Sequence, residues 1–324
     1  MKLAIAILNW NGLELLKRFL PSLCKYTSET YQIYIIDNCS DDDSVNFIKK
    51  NFDRIKVIKL NKNYGYAKGY NIGLKNINAE IICLLNNDVE VSKNWTKPII
   101  QQFKKEKNTA VIQPKLKNQE DKRYFDYAGA AGGFLDKYGY PYCNGRIYNV
   151  VDTDENQYEK IYDIFWACGA CFFMRKKYFE AAGGFDEKFW AHMEEIDLCW
   201  RLKNMGFDIK YNYKSTVYHV NAATLKTENY RKTYYNFRNQ LYMLTKNSCN
   251  NLFLILFEKF FVDLLISLFI LFTRGLKHFT AIIVAYFTFY KNINDLIKFR
   301  KNNKRSIKHY GTRSIILKYL KLKK

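Results

Sequence analysis

A chain of 324 residues with 48% hydrophobic content and only 4 Pro and 15 Gly is too apolar and too unbroken for disordered, collagen-like or linker classes. Its net charge is +21, yet fourteen Lys and Arg against Asp295 alone place +13 in the last 51 residues and leave +8 on the first 273. Such a tail seeks phosphate, in nucleic acid or at an anionic membrane surface, unless the lysine richness is a general property of the composition. Eight scattered Cys make no disulfide framework, and Cys168-Gly-Ala-Cys171 has no second pair and no His at zinc-ligand spacing. Reduced thiols point to the cytoplasm.

The first apolar run ends at Asn9 after six or seven residues, which predicts a strand and no signal peptide. Further short apolar runs predict strands over 31–36, 55–60 and 81–85 after the first at 3–8. Between them, Leu and Ile at three- and four-residue spacing predict helices over 13–26, 44–51 and 67–77. Repeated βαβ units give a parallel sheet covered on both faces, with ligands at the carboxyl ends of its strands. Polar clusters fall at those ends: Asn9, Trp10 and Asn11, then Asp37 and Asn38, then Asn86, Asn87 and Asp88. One cluster could be a helix cap, whereas three at equivalent ends predict a shared site. No G-x-G-x-x-G or P-loop motif accompanies them, so nicotinamide and P-loop chemistry lack their phosphate cradle.

Residues 110–225 are less regular, with a Gly-rich segment at 127–133, a strand predicted over 165–174, a helix from near Met193 and a strand ending at His219. A helix over 229–246 follows. Beyond it, Glu258, Lys259 and Asp263 interrupt an apolar run over 252–273, and Lys259, Asp263, Ser267 and Arg274 fall in one narrow stripe. Lys277, Thr280, Thr288 and Lys291 make a similar stripe on a second helix. Wide apolar faces with thin polar stripes lie in a membrane interface, form a re-entrant hairpin, or pack as a soluble subdomain; the basic tail favours the interface.

A carboxylate at a strand end beside small polar residues and a helix start suits a divalent cation and a diphosphate. The ordered set Ile35-Ile-Asp37-Asn-Cys-Ser, Asn61-Lys-Asn-Tyr-Gly-Tyr, Leu84-Leu-Asn-Asn-Asp88, Gly169-Ala-Cys-Phe-Phe-Met, Gly183-Gly-Phe-Asp and Met193-Glu-Glu-Ile-Asp resembles the family 2 glycosyltransferases of GT-A fold. Bacterial rhamnosyltransferase-like enzymes of cell-surface polysaccharide synthesis are the most similar group, and Arg238-Asn239 resembles part of their post-catalytic helix.

The resemblance implies an α/β catalytic domain over 1–225, a Rossmann-like mixed sheet with helices on both faces, followed by a basic, membrane-associated helical region over 226–324. It implies an inverting, metal-dependent transfer of one sugar from a UDP-, dTDP- or GDP-sugar to a glycan or polyprenol-linked acceptor, on the inner face of the cell membrane and without nucleic acid. Asn9, Asn11, Asp37, Lys68, Asn71, Asn86 and Asn87 would contact the donor. Asp88, last in the family's D-x-D motif, and His219 would hold Mg2+ or Mn2+; Asn86 stands where that motif has its first Asp. Glu195 stands where relatives carry an Asp and would be the general base, with Trp190, His192 and Glu194 on the acceptor side. Asp197 and Arg201 read as an ordinary i,i+4 pair. The alternative is a catalytically silent nucleotide- or glycan-binding component of an assembly complex.

Overall fold

A computed structural model describes residues 1–220 and 229–322. In chain order it runs β1 (Leu3–Asn9), α1 (Leu13–Tyr26), β2 (Gln32–Asp37), α2 (Ser44–Asn51), β3 (Ile55–Lys59), α3 (Gly65–Lys75), β4 (Ile81–Asn86), β5 (Val89–Val91), α4 (Lys97–Lys105) and β6 (Thr109–Asn118). Short strands follow: β7 (Gly133–Asp136), β8 (Pro141–Cys143), β9 (Arg146–Ile147), β10 (Val150–Val151) and β11 (Tyr162–Asp163). Then come β12 (Cys171–Arg175), α5 (Lys176–Ala181), α6 (Glu194–Asn204), β13 (Asp208–His219) and α7 (Tyr230–Asn247). The chain ends in α8 (Leu252–Arg274), α9 (Leu276–Lys291), α10 (Ile293–Asn302), β14 (Tyr310–Thr312) and α11 (Ile315–Leu322).

The large sheet has the order β11-β13-β6-β12-β4-β1-β2-β3, with β5 paired to β13. Strands β4, β1, β2 and β3 are mutually parallel, and β12 enters antiparallel between β4 and β6. Nearly continuous burial along β1 and β4 is what a sheet covered on both faces requires. Helix α1 buries Leu16, Phe19, Leu20 and Leu23, the face its three- and four-residue spacing predicts. Register brings the carboxyl ends together, because Asn9 lies opposite Asp37 and Leu8 opposite Asn86.

The strand expected over 165–174 is half that length. Residues before Cys171 leave the ladder, and Phe165 and Trp166 instead exchange backbone hydrogen bonds with Gly133 of a second sheet. That sheet, β10-β9-β8-β7-β14, caps the first and takes its last strand from the far end of the chain. An apolar run signals burial equally well in strand and loop, which is why periodicity overextended it.

Both C-terminal helices form, but α8 is turned opposite to a surface helix of a water-soluble protein. Its polar stripe faces the protein: Lys259, Asp263 and Ser267 are buried. Lys259 Nζ donates to Gln240 Oε1 of α7 at 2.8 Å and to Asp263 at 3.0 Å. Tyr286 of α9 and Tyr140 also donate to Asp263, and Lys137 pairs with Glu258. The apolar face is outward, with Phe269 61%, Phe272 86% and, on α9, Phe287 73% exposed. Helix α9 packs His278, Ala281, Ile282, Ala285 and Phe289 inward and leaves Lys277, Thr280 and Lys291 exposed. Among the described residues, no helix is long and apolar enough to cross a membrane. The domain boundary expected at 225 lies outside the described residues.

Candidate functional site

Three strand ends build the first wall. Buried Asn9 accepts from Asn87 Nδ2 at 3.0 Å and donates to Ser40 Oγ at 3.3 Å. Asn11, in left-handed backbone at φ 49°, accepts from the Asp41 amide at 2.9 Å. Asp37 is buried, accepts from the Ser40 amide at 3.3 Å through Oδ2, and leaves Oδ1 without a partner. Buried polar atoms are normally paired, so an orphaned carboxylate oxygen at a strand end is a place for a ligand donor. Asn38, buried beside it, ties β2 to the start of α3 through the Tyr64 amide, Asn63 and the Gly65 carbonyl.

Lys68 and Asn71 are not grouped with those residues in the same way. Asn71 exchanges two hydrogen bonds with the Phe185 backbone, at 2.8 and 2.9 Å, and Lys68 pairs with Glu187 at 2.8 Å. Both therefore clamp the 185–187 segment onto α3. Asn86 ends β4 half-buried, one register step from Asn9.

Asp88 and His219 meet where β5 pairs with the end of β13. Asp88 Oδ1 is buried and 3.3 Å from His219 Nε2, within ion-pair distance but without a hydrogen bond's alignment. On the other side of the ring, His219 Nδ1 lies 3.2 Å from Asp126 Oδ1, whose second oxygen accepts from the Ala128 amide at 2.8 Å. Burial alone would lower the His219 pKa, but the charge and hydrogen bond of Asp126, then the neighbouring Asp88 carboxylate, push it up to about 10. Among the described residues no group of three or more His, Cys, Asp or Glu converges as a full metal cage. One orphaned carboxylate oxygen and one imidazole nitrogen side by side still fit a divalent cation that shares its remaining positions with substrate phosphates and water.

The third wall is the N-terminus of α6. Burial raises the Glu195 carboxyl to about 7, against hydrogen bonds from the backbone around residue 195 that lower it, and its Oε2 has no partner. Glu194 is buried and raised further, by burial and then by the charge of Glu195. Gly169 faces this pair: a Cβ there would lie 3.1 Å from Tyr66 Oη and 3.8 Å from the Glu195 carboxyl carbon. Tyr66 donates to the Gly169 carbonyl at 2.9 Å. The buried Cys168 thiol feels the charges of both Asp126 and Glu195, so the second and third walls adjoin. Trp190 is half exposed and covers Gly65, whose added Cβ would meet its ring at 3.3 Å. His192 is neutral at ordinary pH, since burial, then the Lys232 charge, bring it down to about 4.

Asp197, one turn along α6, holds Arg201 Nε at 2.8 Å as the i,i+4 spacing predicts, and also Lys246 Nζ and Asn247 Nδ2 of α7, each at 2.8 Å. Asp126 was not legible in the sequence as a site residue. It sits in an irregular segment ahead of the Gly-rich run, with no periodic signal, and reaches His219 across 93 positions.

A parallel sheet with its polar residues at the carboxyl ends, extended by an antiparallel strand, is the architecture of the GT-A glycosyltransferases. The chain overlays GalNAc-T7 bound to UDP, GalNAc and Mn2+ with a TM-score of 0.61 at 16% identity, over 77% of this chain and 48% of that one. It overlays the S. aureus TarS 1–349 complex with UDP-GlcNAc at 0.57 and 14% identity, over 92% and 84% of the two chains. The mannosyltransferase PcManGT of Pyrobaculum calidifontis, with GDP-Man and Mn2+, gives 0.55 and 11%, over 93% and 84%. Residues 4–183 match the model of Glycosyl transferase family 2, and the chain belongs to that family.

Among characterised relatives, the low-salt glycan biosynthesis hexosyltransferase Agl10 of Haloferax volcanii is 24% identical over 252 residues, 76% of each chain. The N-acetylglucosaminyl-diphospho-decaprenol L-rhamnosyltransferase of Mycobacterium tuberculosis is 21% identical over 222 residues, 64% of this chain and 72% of that one.

Proposed function

We propose that this glycosyltransferase moves one sugar, with inversion, from a nucleotide-diphosphate sugar to a hydroxyl of a glycan or lipid-linked acceptor in surface-polysaccharide synthesis. The observation that carries the reading is Glu195: a carboxyl raised to about 7 with a buried, unpartnered oxygen, in a protein whose strand-end Asp37 and Asp88 each leave one buried oxygen unpartnered as well. A base must be within reach of the proton it takes and matched to working pH. In the transfer, Glu195 accepts the proton of the acceptor hydroxyl as that oxygen bonds to the anomeric carbon, and the bond from that carbon to the diphosphate oxygen breaks on the opposite face. Asp37 and the Asn9 to Asn11 turn receive the base and ribose, joined by Asn86 and Asn87. Lys68 and Asn71 act from the rim, through the 185–187 segment they hold. Asp88 and His219 would hold Mg2+ or Mn2+, which when bound supplies positive charge to the leaving diphosphate. Trp190, with half its surface open, stacks on the acceptor sugar, and His192 and Glu194 line its approach.

The names of the two relatives, one acting on a decaprenol-linked sugar, support a lipid-borne acceptor. The outward apolar faces of α8 and α9 and the +13 tail support a peripheral or monotopic seat on the inner membrane leaflet, with 1–225 as the catalytic domain and the helical, basic region 226–324 supplying the membrane contact. Thermal-shift titration with UDP-, dTDP- and GDP-sugars and either cation identifies the donor, because a bound ligand raises apparent stability. Transfer assays with that donor follow, and full transfer by Glu195→Gln with unchanged donor binding would overturn the base assignment.

A further inference from the structure

The turn that delivers Glu195 is built in an unusual way. His192 and Met193, neither of them glycine, stand consecutively in left-handed backbone at φ 67° and 69°, and α6 begins at the next residue. Side chains disfavour this region, so two in a row persist only where surrounding contacts hold them. The contact that does so comes from α7. Asn239 Nδ2 donates to the Ala191 carbonyl at 2.9 Å and to the His192 carbonyl at 2.7 Å, so both of its protons are used on one turn. Its Oδ1 accepts from Arg238 Nε at 2.9 Å, which fixes which way the amide faces; flipped, it would set oxygen against two carbonyl oxygens.

We infer that Asn239 is a positioning residue for the transfer: it holds the 191–193 turn in the conformation that sets Glu195 at the reacting hydroxyl. The inference rests on the reading of Glu195 as base. Asn239 is fully buried, between the buried polar Arg238 and Gln240, where an unpaired amide would be costly and each of its polar atoms is in use. What an apolar residue lacks is two donors on one planar nitrogen, aimed at two carbonyls that the reversed backbone turns to the same side. A hydroxyl supplies one donor, and a carboxylate supplies none. The support behind Asn239 is firm. Arg238 Nη2 donates to the Lys188 carbonyl at 3.1 Å, and Lys246 bonds Asp186 at 2.6 Å and Asp197 at 2.8 Å, so α7 grips the loop before the turn and the helix after it.

The test compares Asn239→Ala and Asn239→Leu, the second keeping the branched shape while removing both donors, in the full chain with the donor found by thermal shift. We expect both to be folded by circular dichroism, to bind donor within ~3-fold of the parent, and to lose about 100-fold in kcat with donor KM little changed, since a displacement of about 1 Å at a reacting group costs that much. Parental kcat in either variant overturns the role. So does a loss that follows donor affinity, or a failure of both variants to fold, which would make Asn239 structural only. Glu195→Gln is run alongside: if it transfers at the parental rate, the base reading itself fails, whatever Asn239 does. If it is inactive while the Asn239 variants are fast, only the positioning role is lost.

Discussion

Asp126 and His219 form a buried pair, Oδ1 to Nδ1 at 3.2 Å, that turns the opposite ring nitrogen toward Asp88. A carboxylate behind a ligating imidazole fixes its tautomer and orientation. Asp126→Asn should therefore weaken Mn2+ binding, measured by titration without donor or acceptor, by about 10- to 100-fold. Without metal the same pair has a pH signature. A His raised to about 10 from 6.5 contributes stability that is full below about 6.5 and is lost as pH rises through about 10. Metal-free protein should lose melting temperature between pH 7 and 10, and Asp126→Asn should flatten that slope.

Turnover should rise with pH through about 7, because Glu195 must lose its proton to act. Stability runs the other way. A carboxyl raised from 4.5 to about 7 in the fold favours the native state while protonated, so its contribution is present below about 4.5 and is lost as pH rises through 7. Glu195→Gln should remove the kinetic limb, cost about 100- to 10,000-fold in kcat, and stabilise the protein slightly at pH 8. A pH–rate profile and melting curves on the same preparations check all three.

Lys246→Met should destabilise the protein by about 3 kcal/mol, read by urea unfolding. The lysine is buried between Asp186 and Asp197, and although Arg201 and Asn247 remain on Asp197, one carboxylate charge is left uncompensated in the interior. The variant should also unfold at higher pH in acid than the parent does. Burial opposes ionisation of Asp197, but Lys246 and Arg201 outweigh it and lower its pKa; that stability is present above the ordinary carboxylate range and is lost as pH falls through the depressed value.

Replacing Phe269, Phe272 and Phe287 together by Glu should abolish sedimentation with anionic vesicles while leaving the melting temperature within about 2 °C and activity on a soluble acceptor intact. These rings are mostly exposed, so their loss removes little from the core. Vesicle binding that survives the triple substitution would assign attachment to the basic tail alone. A point-substitution design is preferable to removing 252–324, because Arg300 caps α7 by donating to the Thr245 and Ser248 carbonyls, and His309 packs on Trp200 of α6.

The sheet and its strand-end residues were legible because each obeys a local rule. Helices 13–26 and 44–51 fall at their predicted bounds, and Asn9, Asp37 and Asn87 meet because parallel register aligns the ends of β1, β2 and β4. What the pattern could not show was choice of neighbour. The stripe on α8 was visible as a stripe, but whether Lys259 and Asp263 face water or Gln240 and Tyr140 depends on how the preceding helix folds back and on a hairpin more than a hundred residues away. Lys68 and Asn71 were expected at the donor, and their atoms are engaged by the 185–187 segment, a contact more than a hundred residues away. Asp126 escaped for the same reason.

The capping sheet has its own timetable. Strand β7 leaves the ribosome early, but its partner β14 spans Tyr310–Thr312, and buried Asp136 waits for the Ile315 amide at 3.0 Å. This layer can thus close only after α8 and α9 have been made. Domains tend to fold as they emerge, N-terminal part first, and late-arriving contacts leave apolar surface uncovered meanwhile. The nascent chain consequently carries the outward apolar faces of α8 and α9 before β14 can pair with β7, an order imposed by the topology itself.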